Sequence, residues 1–318
     1  MGRATQADDT SLQREAAFYG SGLIQDFPAG FRPARCYALD EQVGESGPTE
    51  YWFWLEDLGS RSASRAAGRT VDDYYERAAY GLGLSSGTFI DHPALPDATW
   101  LKRDNVRGYV ENAAPQFHAL FADPTTPLIQ RAFPAAAVDS LRALWQLRER
   151  HLLTLDRLPQ TLVHGDAQRT NLFLVTDGAR DPGIAAIDWS AVGVGPLGLD
   201  AAQLFATSAF TFATGVGRLA DVAEGIYERY LAGVQAAGWQ GDPRVVRLGY
   251  TASMFRVRTM YVWRSLQIYL DETVQKRVAP QLQASGLTLE DFSDRARHGE
   301  QRARALFEES LALRDQLL

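Results

Sequence analysis

The stretch Leu162 to Trp189, LVHGDAQRTNLFLVTDGARDPGIAAIDW, constrains this chain more than any other. It holds two short apolar runs, 172–175 and 184–187, separated by the turn-rich TDGARDPG, and that pattern predicts a β-hairpin. Pairing the runs puts Asn171, just before the first strand, and Asp188, just after the second, at the same open end. Asp166 sits in the loop that enters the hairpin. One loop and one hairpin can thus converge two carboxylates and a carboxamide on one point. Hard oxygen ligands of this kind suit Mg²⁺, with phosphates completing its shell, and a carboxylate is left over for other chemistry.

The surroundings of the hairpin read as mostly helical. A short helix is predicted over 12–19, with Thr10 or Ser11 as N-cap and a stop near Gly20 and Gly22. Residues 35–39 and 51–55 are short, aromatic or aliphatic, and flank the turn-forming Gly44 to Pro48, which suggests a second hairpin. Helical spacing follows around 71–83, 98–112 and 134–155, and again near 199–208, 218–237, 243–270 and 289–316. Strands early, helices later and one hairpin within the helical part predict an α+β architecture. A lobe boundary is expected near residue 59, where the charged, Gly-, Ser- and Ala-rich stretch Glu56 to Gly68 begins.

Composition narrows the classes of function. With 39 acidic against 32 basic residues the formal net charge is -7, which disfavours general attraction to nucleic acid or anionic lipid and suits a cationic small molecule better. Cys36 is the only cysteine, so an intrachain disulfide framework and a four-cysteine metal site are excluded, and a reducing compartment, the cytoplasm, is expected. The start shows no apolar signal region, and the run 201–217 falls short of the roughly 20 apolar residues of a spanning helix, so no membrane association is expected.

His164, Asp166 and Asn171 have the H-x-D-x-x-x-x-N spacing of the kinase catalytic loop, and Asp188 stands where the metal-binding Asp of the D-F-G element would stand. With Gly165 second in the loop, Trp189 after the second Asp, and Gly195, Pro196 and Asp200 downstream, the chain resembles the aminoglycoside phosphotransferase family of the protein-kinase-like fold. The resemblance implies a two-lobed α+β fold, with 1–58 as a partial N-terminal lobe and 59–318 as a C-terminal catalytic and substrate lobe. It implies ATP as phosphoryl donor, Mg²⁺ as cofactor and a hydroxyl of a small molecule as acceptor. Family members act on aminoglycosides, other antibiotics, choline, homoserine and sugars. Asp166 would be the catalytic carboxylate, and Asn171 and Asp188 would hold Mg²⁺. YWFWLEDL looks like the strand leading into the hinge, so that Glu56, Asp57 and Leu58 would hold the adenine. Glu15 resembles the helix Glu that pairs with a phosphate-binding Lys. His164 would support the loop through backbone bonds, and Asp200 would either cap the following helix or brace the catalytic loop.

Only 14 residues precede Glu15, and no lysine occurs before Lys102, so the Gly-rich loop and the phosphate Lys are expected to be absent from this sequence, either because its start is misplaced or because the loss is genuine. Arg14 and Arg3 are the first candidates to stand in for that Lys. The same gap motivates an alternative: a catalytically weak or inactive kinase-like binding protein. The short Trp189 to Leu199 interval leaves no room for an activation segment, which disfavours a protein substrate. Gly193 to Gly198 matches G-x-G-x-x-G, but nothing around it reads as a βαβ unit, so a dinucleotide-binding turn is not expected.

Overall fold

The computed structural model describes residues 9–42, 49–59, 71–176, 183–210, 214–284 and 286–318. Turn residues 44–48, most of TDGARDPG and Arg3 lie outside them. In chain order the elements are α1 (Asp9–Gly20), β1 (Phe31–Pro33), β2 (Cys36–Gln42), β3 (Glu50–Leu55), α2 (Val71–Thr88), α3 (Arg107–Asn112), α4 (Ala114–Ala122), α5 (Pro127–Ala132), α6 (Ala135–Gln146), α7 (Arg148–Asp156), β4 (Gln160–Val163), β5 (Leu172–Val175), β6 (Gly183–Ala186), β7 (Gly193–Pro196), α8 (Leu199–Phe210), α9 (Leu219–Ala236), α10 (Pro243–Ala252), α11 (Met254–Leu270), α12 (Glu272–Ala284) and α13 (Leu289–Leu317). This is the α+β composition expected. Among the described residues no helix is long and apolar enough to cross a membrane.

The chain forms two compact units. One comprises Met1–Asn105, Pro159–Leu204 and Gly225–Gly241, so residue 58 falls inside it; the other comprises Val106–Leu158, Phe205–Glu224 and Asp242–Leu318.

In the first unit β5 and β6 pair antiparallel with Leu172 opposite Ala186, and β1 joins β6 in parallel with Phe31 opposite Ile184. β2 and β3 make a separate antiparallel ribbon, and β4 pairs antiparallel with β7. β1 and β7 are too short to show a period, and only pairing with a distant partner makes them strands. β7 with α8 is a strand-to-helix passage through Gly193 to Gly198, yet its antiparallel ladder with β4 is no βαβ unit. The glycines there are packing devices: a Cβ on Gly193 would stand 2.2 Å from the Lys102 carbonyl. That same contact explains why 98–106 is not helical. Lys102 N–H donates to Val192 O at 3.2 Å and Lys102 O accepts from Val194 N–H at 2.8 Å, so tertiary pairing takes the main-chain groups a helix would use.

α2 carries Gly81, Gly83 and Gly87, which cost helix propensity and return close approach. A Cβ on Gly83 would meet the Tyr230 carbonyl of α9 at 2.1 Å, and one on Gly233 would meet the Tyr80 carbonyl at 2.2 Å. From this backbone-to-backbone crossing α2 holds the site's strands: Tyr74 Oη donates to Leu172 O at 2.9 Å, and Thr161 Oγ1 donates to Ser86 O at 2.7 Å.

The second unit is helical. The expected helix over 134–155 breaks at Leu147 into α6 and α7, and that over 243–270 breaks at Ser253 into α10 and α11. α4 and α5, both with Pro in the first turn, and α12 were not legible in the sequence. α11 is buried along most of its length and pairs Arg258 with Glu300 of α13 at 2.7 Å, both side chains nearly fully buried, while Arg258 Nη2 donates to Ser140 Oγ at 3.0 Å. His151 is buried against Phe255 and Phe307; burial, then the charges of Arg314 and Arg150, push its pKa down to about 4.

Gly83→Ala is expected to lower unfolding free energy by at least about 1–3 kcal/mol, because the added methyl meets backbone that cannot swing aside; denaturant titration measures it. The His151 shift has a defined sign. Unfolding takes up a proton between about pH 6.5 and 4, so this contribution is complete above 6.5 and is lost as pH falls towards 4. Between pH 7 and 4.5 the wild type is expected to lose about 2 kcal/mol more stability than His151→Leu.

Candidate functional site

The loop from His164 to Asn171 is tied down by a carboxylate from the start of α8. Asp200 Oδ2 accepts from His164 N–H at 2.7 Å and its Oδ1 from Gly165 N–H at 3.0 Å. Gly165 has φ 79°, and a Cβ there would stand 2.3 Å from the Ala191 carbonyl, so both conformation and space require glycine. The His164 ring bridges loop and hairpin: Nε2 donates to Ile187 O at 2.9 Å, which leaves Nδ1 to accept from Asp166 N–H at 3.2 Å.

Asp166 and Asn171 are in direct contact. Asn171 Nδ2 donates to Asp166 Oδ2 at 3.0 Å and to its main-chain O at 3.1 Å. Gln168 Nε2 donates to the same Oδ2 at 2.7 Å. Gln168 was not singled out in the sequence; its place two residues after Asp166 was the available signal, since i to i+2 bonds are common in loops. Asp166 Oδ1 has no hydrogen-bond donor among the described residues, and the side chain is half-buried. Among the described residues, the Asn171 amide oxygen accepts only from Thr170 Oγ1, at 3.2 Å.

Across the hairpin, Ile187 N–H donates to Asn171 O at 2.9 Å, carrying the β5–β6 ladder one step beyond Leu172 and Ala186 and leaving Asp188 as the next residue. Asp188 is exposed and left-handed, with φ 60° and ψ 65°. Asp tolerates this region better than most residues, but it persists only where the surroundings impose it. They do so on both sides. Trp189 is buried, stacks on Phe18 with centroids 4.3 Å apart, and donates from Nε1 to Ala186 O at 3.1 Å. Ser190 Oγ donates to Asp188 Oδ1 at 2.7 Å.

α1 completes the grip with two consecutive residues. Glu15 accepts from Trp189 N–H at 3.1 Å, and Arg14 Nη1 donates to Ser190 O at 2.5 Å. Burial raises the Glu15 carboxyl to about 7, the Trp189 bond opposing and the Asp188 charge adding to the rise. Glu15 and Arg14 thus bond the chain just after Asp188.

The 56–58 segment uses its side chains structurally. Glu56 is buried, pairs with Arg32, and accepts from Arg35 N–H at 2.7 Å. Asp57 Oδ1 accepts from Gly59 N–H at 2.8 Å, and Leu58 packs with Ala34, Val175 and Ala185.

Asp166, Asn171 and Asp188 offer oxygen donors only, the set that Mg²⁺ prefers over softer metals. Among the described residues no three His, Cys, Asp or Glu side chains cluster as an all-protein metal cage. A cation held here would draw much of its shell from phosphate and water, which is how Mg²⁺ is commonly bound.

The protein-kinase-like fold is shared with solved structures. A choline/ethanolamine kinase family protein from Mesorhizobium loti superposes with TM-score 0.51 at 14% identity, over 97% of this chain and 83% of that one. An ethanolamine kinase from Plasmodium vivax gives 0.48 at 14% identity, covering 91% and 75%. A point mutant of aminoglycoside 2'-phosphotransferase-IIIa in its GDP complex gives 0.48 at 13%, covering 87% and 83%. No curated protein matches the chain. Residues 11–245, which hold every residue placed above, match the sequence profile of the phosphotransferase enzyme family, and the chain belongs to that family.

Proposed function

We propose that the protein is a cytoplasmic, ATP- and Mg²⁺-dependent phosphotransferase that phosphorylates a hydroxyl of a small molecule. The observation that carries this reading is the Asp166 carboxylate: one oxygen is pinned by Gln168 and Asn171, and the other has no donor among the described residues. A carboxylate held this way can accept the acceptor's hydroxyl proton. The hydroxyl oxygen then bonds to the γ-phosphorus as the bond to the β-phosphate oxygen breaks, releasing ADP.

Asn171 and Asp188 are the residues that would hold Mg²⁺. The metal supplies charge neutralisation on the phosphates when bound. Asp200 and His164 keep Asp166 aimed, and Glu15 and Arg14 keep Asp188 aimed, so the work asked of this chain is positioning. Because the side chains of Glu56 and Leu58 are committed to packing and ion pairing, adenine contact from 56–58 would fall to the main chain.

A net charge of -7 supports a cationic acceptor, and the fold neighbour's designation as a choline/ethanolamine kinase family protein makes amino alcohols, with aminoglycosides, the first acceptors to assay. One observation favours the second reading, a nucleotide-binding protein with weak or no transfer: the Glu15 carboxylate is bonded to Trp189 rather than to a lysine. Acceptor-dependent ADP release separates the two, since a binding protein shows none.

Asp166→Asn is expected to reduce kcat by about 10²-fold or more while nucleotide affinity stays within about twofold; retention of half the wild-type kcat would remove Asp166 from the chemistry. Asp188→Ala is expected to abolish the Mg²⁺ dependence of ATP binding, and Asn171→Ala to weaken it, with the double variant little worse than Asp188→Ala. Calorimetric titration with and without Mg²⁺ checks this, and an unchanged Mg²⁺ dependence in Asp188→Ala rules out the metal role.

A further inference from the structure

The charges of α7, RERHLLTLD, segregate by helical period. Glu149 and Asp156 are seven residues apart, and both reach Arg107, at 2.9 and 3.9 Å. Arg150 and Arg157, also seven apart, lie about 100° further round the axis. With Leu153 and Thr154 between them they form an i, i+3, i+4, i+7 stripe on one face. That stripe lines one side of a solvent-open cavity of about 550 Å³, with Arg314, Asp315 and Leu318 on the other side.

Basic groups outnumber acidic side chains in this lining, three arginines to one aspartate. Asp315 accepts from Arg314 Nε at 2.9 Å and from its Nη2 at 2.7 Å, so that pair is satisfied internally. Neither the Arg150 nor the Arg157 guanidinium has a hydrogen bond or ion pair among the described residues. The acidic groups of the same helix cannot serve them, because they point to Arg107. Next to the cavity, and sharing Thr154 and Arg314 with it, a smaller recess is lined by His151 and Phe307. His151 is 5% exposed, and its Nε2 is buried without a hydrogen-bond partner.

Two exposed guanidiniums with no partner among the described residues border an open recess of ligand size, and in a chain that is acidic overall they offer an anion a local positive site. Their planar forks suit phosphate or carboxylate oxygens, and a dianion engages both where a monocarboxylate engages one. Leu153 and Leu318, both about half exposed, supply apolar surface beside this site. We infer that this cavity binds a small organic phosphate monoester, its head on Arg150 and Arg157 and its apolar body on Leu153 and Leu318. The site is distinct from Asp166 and Asp188 and does not rest on the catalytic reading.

Phenyl phosphate titrated into the full chain, with histidine ring resonances followed by NMR at constant ionic strength, tests the inference. His151 reports the cavity, and His164, which bonds Asp166 and Ile187, reports the catalytic loop. The expected result is a saturable shift of His151 with the His164 resonance unmoved, and at least a tenfold loss of affinity in the Arg150→Gln/Arg157→Gln variant. That variant should keep the wild-type melting temperature and turnover. Benzoate binding as tightly as phenyl phosphate would overturn the phosphate assignment. A His151 response matched by sodium chloride, or unchanged affinity in the double variant, would overturn the site.

Discussion

The Asp200 carboxylate does most to define the candidate site. It takes two consecutive main-chain N–H groups, those of His164 and Gly165, in a buried setting where an unpaired amide costs about 1–3 kcal/mol. With those groups held, Gly165 is fixed in its left-handed turn beneath Ala191, the His164 ring reaches Ile187, and Asp166 is delivered to Gln168 and Asn171. Each later contact presupposes the earlier one. Asp200 could have capped a helix or braced the loop; it lies in the first turn of α8 and bonds the loop.

The opposite wall follows a different logic. Asp188 is exposed and conformationally costly, while the residue after it is among the most buried in the chain. Trp189 acts as an anchor, set among Phe18, Phe27, Phe31 and His164, and the strain at Asp188 is met by that packing and by Glu15 and Arg14. An exposed carboxylate braced from behind by buried apolar mass is preorganised, because little side-chain or loop entropy remains to be lost when a ligand arrives. Arg14, considered from the sequence as a partner for phosphate, bonds a carbonyl two residues from Asp188 instead.

Much of this was legible because it is local. The β5–β6 hairpin follows from two apolar runs and a turn, and the juxtaposition of Asp166 with Asn171 follows from five residues of loop. Helices α1, α2, α9 and α13 follow from periodicity, since each buries one face along several turns, whereas α8 is buried all round among its described residues. The ribbon β2–β3 was visible as two short runs rich in aromatic or aliphatic residues flanking a turn, although that turn lies outside the described residues.

What the sequence by itself determined is therefore the set of elements whose signal fits within one period or one turn, together with the order of chemical groups along them. Tertiary structure alone decided which distant segments complete them. Glu15 and Arg14 meet Trp189 and Ser190 across more than 170 residues, β1 becomes a strand only beside β6, and 98–106 gives up helical spacing to bond Val192 and Val194. The basic cavity likewise exists only because the end of α13 lies against one face of α7. The physical reason is the same in each case: a hydrogen bond or a buried side chain is worth about as much whichever residue supplies the partner, so propensity favours the local element, and only the packed chain selects which remote group satisfies it.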